Sequence, residues 1–320
     1  MRDGVAAPAG VPLAELGPIP AIEWPTVALA LGIYGSWTAL TCWHAALPAW
    51  AVFPALAWLA AWHGSLQHEV LHGHPTRFRW LNDALGFPPL ALWLPYAIYR
   101  RSHLRHHIDV RLTDPLDDPE SYYWTPELWA SLSRPGRVLV SLQTTLLGRL
   151  LLGPGWSLCR FYYFQAQFVW RGEGAARRVW AAHALGVVAV LGWLWGVCGI
   201  SPLLYLFAVV YPATSLLLLR SFAEHRAAAG VPQRIALVEN TRLFGLLFLF
   251  NNLHVVHHLW PRVPWWRIPR LYRRHRAALI VANGGLLYDG YADVARRYLL
   301  TPHDALLHPQ GRAPIPGVPA

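Results

Sequence analysis

The sequence predicts an all-α integral membrane protein with four transmembrane helices in two hairpins and a helical cytoplasmic cap with interfacial helices. Three observations carry that expectation: a shortage of charge, four long apolar stretches in two pairs, and a one-sided distribution of arginine. Of the 320 residues, 55% are hydrophobic and only 14% charged, where a soluble domain carries about a quarter. Much of the chain therefore has no water to face.

The apolar stretches are Thr26–Leu47, Ala49–Gln67, Val179–Gly199 and Ser201–Leu219. Each approaches the roughly 20 helical residues needed to cross about 30 Å of hydrocarbon. Pro48 separates the first pair and Gly199 to Pro202 the second, so each pair reads as a tight hairpin. The chain has no Lys, and the loops inside the hairpins have no Arg. Thirteen Arg lie in 68–178 and thirteen in 220–320. The positive-inside rule then places both large segments and both termini in the cytoplasm, and a bacterial inner membrane is the expected location.

Three weaker apolar stretches, Ala84–Tyr99, Val138–Leu152 and Leu243–Phe250, are short or interrupted by Pro88, Pro89, Pro95 or Arg149. They read as interfacial or re-entrant helices. The organisation expected is a cytoplasmic tail over 1–25, one membrane domain over 26–300 (cap 68–178 and 220–300), and a loose Pro-rich tail over 301–320. Residues 1–25 lack the basic start of a signal peptide.

The net charge of +10 suggests an anionic partner. The Arg residues are interleaved with Trp, His and apolar runs, with no compact basic motif. Membrane headgroups fit that pattern and nucleic acid does not. Cys42, Cys159 and Cys198 are odd in number and far apart, which matches neither a disulfide framework nor a zinc site.

The 16 His are clustered. The chain reads His68-Glu-Val-Leu-His72, His103-Leu-Arg-His106-His107, Glu224-His225 and His254-Val-Val-His257-His258. On a helix, residues three and four apart share a face. An HxxxH pair offers two imidazoles to one metal, and an HxxHH cluster offers three, whose adjacent pair can diverge toward two metals. With 16 His in 320 residues, chance produces one HxxHH in roughly one chain in 25 and two in about one in a thousand. A solvated helix surface accounts for a lone His, but not for nine in four clusters beside predicted spans. Nine ligands are too many for one ion and fit two with four or five each.

Imidazole suits zinc, copper, iron and nickel. A lipid substrate has few groups that a hydrolytic zinc could attack, whereas iron with O2 supplies the oxidant that an unactivated C–H bond requires. One competing reading is an intramembrane zinc metalloprotease, since His68-Glu69-Val70-Leu71-His72 is an HExxH string. It leaves both HxxHH clusters unexplained. A metal transporter or sensor would place its polar ligands inside the spans, near the midplane.

With these boxes, their order and two spans on each side of the first two boxes, the chain resembles the membrane fatty acid desaturase superfamily over roughly residues 30–275. That superfamily includes acyl desaturases, alkane hydroxylases and carotenoid ketolases and hydroxylases. Glu224-His225 is similar to the extra histidine motif of the alkane hydroxylases. Asn251-Asn252-Leu253-His254 through Pro261, with Pro264 and Trp265, resembles the tail of bacterial acyl desaturases. One departure is Glu69, where many acyl desaturases have Asp.

The resemblance implies a cytoplasmic cap with two Fe ions, O2 as co-substrate, and nine ligands: His68, His72, His103, His106, His107, His225, His254, His257 and His258. His74 is a substitute for His225 or an outer neighbour, and Asn252 a residue positioning a metal-bound water. Asp109 and Glu224 are the carboxylates expected to accept N–H bonds from ligand imidazoles. Asp114, Asp117, Asp118 and Glu120 read mainly as a solvated, turn-forming loop.

The function so implied is oxidation of a lipid-like substrate, with an acyl desaturase as first reading and a hydroxylase or ketolase as second. Both need two electrons from outside. The chain carries no flavin or nucleotide fingerprint and no Cys cluster, so a separate ferredoxin, or a cytochrome of the b5 type with its reductase, is the expected partner. Trp265 through Arg276 is basic and aromatic and reads as a headgroup-level helix or as a docking surface for that donor.

Overall fold

The structure, a computed structural model, describes residues 18–309; of the tails expected over 1–25 and 301–320, residues 1–17 and 310–320 lie outside the described residues, while a helix begins at Trp24 and His303 and His308 are buried. The described chain is mostly helical and divides into two compact units.

The first unit comprises Ile19–Arg100 and Gly153–Leu218. Helices Trp24–Cys42 and Ala49–Leu71 cover the first apolar pair. The second pair forms Gly174–Val197 and Pro202–Glu224, both long and apolar enough to cross a membrane, each with one π-helical stretch. Gly199, at φ +74°, makes the turn between them, a left-handed conformation natural to glycine. Leu185, Val188, Trp195 and Val197 on Gly174–Val197 are each at least two-thirds exposed. An apolar helix face so open is suited to lipid rather than water. Ala49–Leu71 and the helix after Tyr211 approach closely at Gly64, where an added Cβ would meet Leu217 at 2.7 Å.

The stretch expected to be an interfacial helix over Ala84–Tyr99 is instead irregular between helices Arg79–Gly86 and Tyr96–His106. Pro88, Pro89 and Pro95 break it. Irregular backbone in an apolar setting must find its hydrogen bonds elsewhere. Here side chains from five helices supply them. Tyr34 donates to the Leu85 carbonyl, Gln67 to Gly86 at 2.7 Å, Tyr205 to Leu90 at 2.9 Å, His183 to Leu92 at 2.9 Å and Tyr162 to Trp93 at 3.2 Å. Trp37 in turn donates to the Tyr205 hydroxyl at 2.9 Å. His63 bonds the Tyr34 hydroxyl at 3.0 Å.

The second unit is built from Arg101–Leu152 and the chain from Leu219 onward. The Val138–Leu152 expectation resolves into helix Arg134–Leu142, capped by Ser133, and the start of a long helix, Leu146–Trp170. Leu243–Phe250 forms the short helix Arg242–Leu247. The apolar centre joins Leu112, Ile235 and Leu237 to Val255 and Val256 of helix His254–Leu259 and to Ile268, Leu271, Tyr272 and Leu279 of helix Ile268–Ala282. A two-residue parallel strand pair, Leu237–Val238 with Leu287–Tyr288, ties the later segments together. It is too short for sequence periodicity to reveal.

Candidate metal centre

In the histidine-bearing second unit, both HxxHH boxes are helical. His103, His106 and His107 occupy the end of Tyr96–His106 and the residue after it. His254, His257 and His258 lie on the six-residue helix His254–Leu259, whose Val255 and Val256 anchor the opposite face in the apolar centre. The same spacing that makes the helix amphipathic thus turns three imidazoles away from the core. His225 directly follows helix Tyr211–Glu224.

These seven rings form two groups. His106, His225, His254 and His258 make one. Its Nε2 atoms are 3.0 Å apart for His106 and His225, 2.9 Å for His225 and His254, and 3.1 Å for His254 and His258. His103, His107 and His257 make the other, with Nε2 separations of 3.0 Å between His103 and His107 and 2.9 Å between His107 and His257. Two nitrogens each about 2.1 Å from one ion and at right angles to each other lie about 3.0 Å apart, so these are the edges of a coordination polyhedron.

The Nδ1 atoms face acceptors. His106 Nδ1 meets Asp118 at 2.8 Å and His103 Nδ1 meets Glu120 at 2.9 Å. His254 Nδ1 lies 3.1 Å from Asn251 Oδ1 and 3.3 Å from Glu224 Oε1, and His225 Nδ1 lies 3.3 Å from the Arg234 carbonyl. An acceptor at Nδ1 selects the Nδ1–H tautomer and turns the Nε2 lone pair inward. Nitrogens facing one another at 3 Å need a shared proton or a metal ion between them. On that ground the donor set fits two metal ions.

Electrostatics agree. Burial, then neighbouring imidazoles, hold His225, His254 and His258 well below the usual histidine range. Burial also lowers His103, against the opposing pull of Glu120. These rings are neutral, the form a metal requires. His106 differs: burial pulls it down, but Glu120 and Asp118 outweigh that and raise it to about 9. Glu120, despite its burial, is held well below the carboxylate range by His103 and His106.

His68 and His72 belong to the other unit. They sit at the end of helix Ala49–Leu71, buried, with ring centroids 5.1 Å apart. His74, expected as a substitute for His225 or an outer neighbour, lies 2.6 Å from the Glu23 carboxylate and 3.9 Å from Glu69. Asn252, expected to position a metal-bound water, donates through Nδ2 to the Val238 carbonyl at 2.7 Å, and its neighbour Asn251 lies 3.1 Å from His254 Nδ1. Glu224 Oε1 lies 3.3 Å from His254 Nδ1. The side chain of Asp109 lies outside the described residues.

Asp118 and Glu120, read from sequence as turn formers, are the carboxylates behind His106 and His103. Their Asp-Pro context pointed to a solvated turn, and Asp114 does fill that role, accepting from Leu116 N and Asp117 N. The signal passed over was demand: each ligand imidazole needs an Nδ1 acceptor, and this loop is the acidic segment next to the box.

The profile of the fatty acid desaturase family matches residues 43–291. A zeaxanthin 4-ketolase of Chlamydomonas reinhardtii is 25% identical over 292 residues, covering 84% of this chain and 56% of that protein. A delta(12)-acyl-lipid-desaturase of Punica granatum is 28% identical over 251 residues, 68% of this chain and 62% of its own. A beta-carotene ketolase of Haematococcus lacustris is 26% identical over 242 residues, 72% and 64% respectively. The chain spans less than two thirds of the length of each of these relatives. With two groups of histidine nitrogens arranged to hold metal and with helices apolar enough for a membrane, the profile match leads to one conclusion: this chain is a membrane protein of the fatty acid desaturase family.

Proposed function

We propose that the protein is an O2-dependent di-iron oxidase acting on a lipid-like substrate, with acyl desaturation as the first reading. The observation that carries it is the pair of converging Nε2 groups, each backed by Nδ1 acceptors. When bound, two irons supply with O2 an oxidant able to attack an unactivated C–H bond. The proposed ligand set is His103, His107 and His257 for one iron and His106, His225, His254 and His258 for the other. His68 and His72, an HxxxH pair near the end of one helix, are the two further ligands proposed from the family resemblance. A zinc protease built on His68, Glu69 and His72 would leave the other seven without a role.

The chain's own residues orient and insulate this centre. Asp118, Glu120, Asn251 and Glu224 fix ring orientation through Nδ1, and the apolar side chains beneath the second box keep it dry. Four spans, with termini and site on the cytoplasmic side, are proposed from the four apolar helices and the Arg distribution. An acyl chain would then reach the site from the bilayer.

Turnover needs two external electrons, and we place the donor, a ferredoxin or a cytochrome of the b5 type, on helix Ile268–Ala282. Its inner residues Leu271, Tyr272 and Leu279 are buried against the helix of the second box. Its outer face carries the exposed Arg270, Arg273 and Arg274. With its apolar side already used in the core, the helix offers charge rather than a face for insertion, which suits an acidic soluble partner.

A second reading, oxidation to a ketone or alcohol, is favoured by the two ketolases among the relatives. Lipid and pigment profiles of cells with and without the gene separate the two. A new alkene supports desaturation, a new carbonyl or hydroxyl supports the second reading, and no change in either, with a metal-loaded protein and a competent donor, refutes both.

A further inference from the structure

We infer that residues 303–308, near the end of the described chain, form a strap whose contacts hold the four-histidine group in ligating geometry, with His308 as its principal positioning residue. The inference rests on the metal-centre reading above and adds to it residues that touch no ligand directly.

The strap is fastened by backbone. His303 N donates to the Thr144 carbonyl at 2.8 Å, Trp124 N to Leu306 O at 3.0 Å and His308 N to Trp124 O at 3.2 Å. Both its histidines are buried. His308 packs edge-on against Tyr123 with ring centroids 5.1 Å apart, and its Nε2 is hydrogen-bonded to Thr113 Oγ1 at 3.2 Å.

Thr113 is where the strap meets the metal centre. It is buried and sits at φ +70°, a left-handed conformation unusual for a β-branched residue and held only where surroundings enforce it. Its N–H donates to Asp118 Oδ2 at 2.9 Å, while Asp118 Oδ1 receives His106 Nδ1 at 2.8 Å. Ser121 Oγ closes the same turn onto the Thr113 carbonyl at 2.9 Å. An unbroken chain of contacts therefore runs from His308 through Thr113 and Asp118 to His106.

A second line reaches the same group. Asp304 pairs with Arg226 at 3.0 Å, and Ala227 N donates to the Tyr123 hydroxyl at 2.8 Å. Both fasten the segment that follows His225. His106 and His225 belong to one group of four, so the strap acts on one metal. It reaches His103 only indirectly, through Glu120 N donating to Asp118 at 2.9 Å.

The test uses the full chain in detergent, loaded with iron(II) without air, and reads iron per chain and its rate of removal by bipyridine. Circular dichroism confirms that each variant keeps its helical signal. His308→Phe retains the ring against Tyr123 and removes the hydrogen bond; Thr113→Val removes the same bond from the other side. Each should release one of the two irons about tenfold faster, the lower range for an outer partner of a ligand, and the other at the wild-type rate. His308→Gln, which can still bond Thr113, should release close to the wild-type rate. In a His225→Ala background, adding His308→Phe should change nothing further, because that iron is already compromised. Equal acceleration of both irons, acceleration of neither, or failure of His308→Gln to restore retention would overturn the strap. Fewer than two irons in the wild-type chain would overturn the metal-centre reading instead.

Discussion

The two HxxHH boxes have identical spacing and opposite allegiance. The first sends its i and i+4 rings, His103 and His107, to the three-histidine group and its middle ring, His106, to the four-histidine group. The second does the reverse: His254 and His258 join the four-histidine group, and His257 crosses to the other. Rings four apart on a helix point nearly the same way, and the ring between them diverges. Each box therefore gives a pair to one group and a single ring to the other, and the two boxes interlock. The spacing establishes that three rings leave one helix face. It leaves open which ion each ring serves, because that depends on how the second helix meets the first.

The largest effect expected is from removing a pair. His254→Ala with His258→Ala should eliminate one iron per chain and all turnover, measured by metal analysis and product formation. Retention of two irons would break the assignment.

Next are the single crossing rings. His106→Ala should weaken the iron of the four-histidine group and His257→Ala that of the other, each by more than the ~100-fold that losing an outer partner can cost. Mössbauer spectra of the two variants should lose different iron signals; loss of the same signal in both would show that the boxes do not interlock.

Smaller effects are expected behind the rings. Asp118→Asn should weaken the iron held by His106, and Glu120→Gln the one held by His103, each about 10- to 100-fold. The smallest effect concerns protons. In the metal-free chain His106 is raised to about 9, so its charged form is favoured by folding. That stabilisation is complete below the unfolded value near 6.5, and is lost as pH rises through about 9. Metal uptake at pH 7 to 8 should therefore release a proton from His106, and less as pH passes 9. Calorimetry in buffers of different ionisation enthalpy reads this. A release independent of pH across that range, or unchanged in Asp118→Asn, would remove the contrast between His106 and the neutral rings around it.

Several features were legible without coordinates. The apolar runs mark four helices, because a helix that buries no polar face must be apolar all round. The histidines mark a metal centre, because no bland arrangement collects nine rings in four clusters. Other features were not. The prolines at 88, 89 and 95 announce a broken helix, but the five side chains that satisfy its carbonyls come from residues up to 115 positions away, as Tyr205 is from Leu90. Asp118 and Glu120 look like turn residues, and Asp118 has local turn contacts as well as its bond to His106. The strap at 303–308 reads as part of a Pro-rich tail and is recognisable only by what it touches.

By itself, then, the sequence determined the helical class, the apolar stretches, the clustering of the histidines and the face each box presents. All of these follow from local spacing and from the cost of leaving apolar or polar groups in the wrong solvent. Only the tertiary structure decided how the rings divide between two groups, which carboxylates face their Nδ1 atoms, that His74 meets Glu23, and that His308 stands behind His106. Those outcomes depend on contacts between residues far apart in the chain, and such contacts arise from packing, for which local periodicity carries no signal.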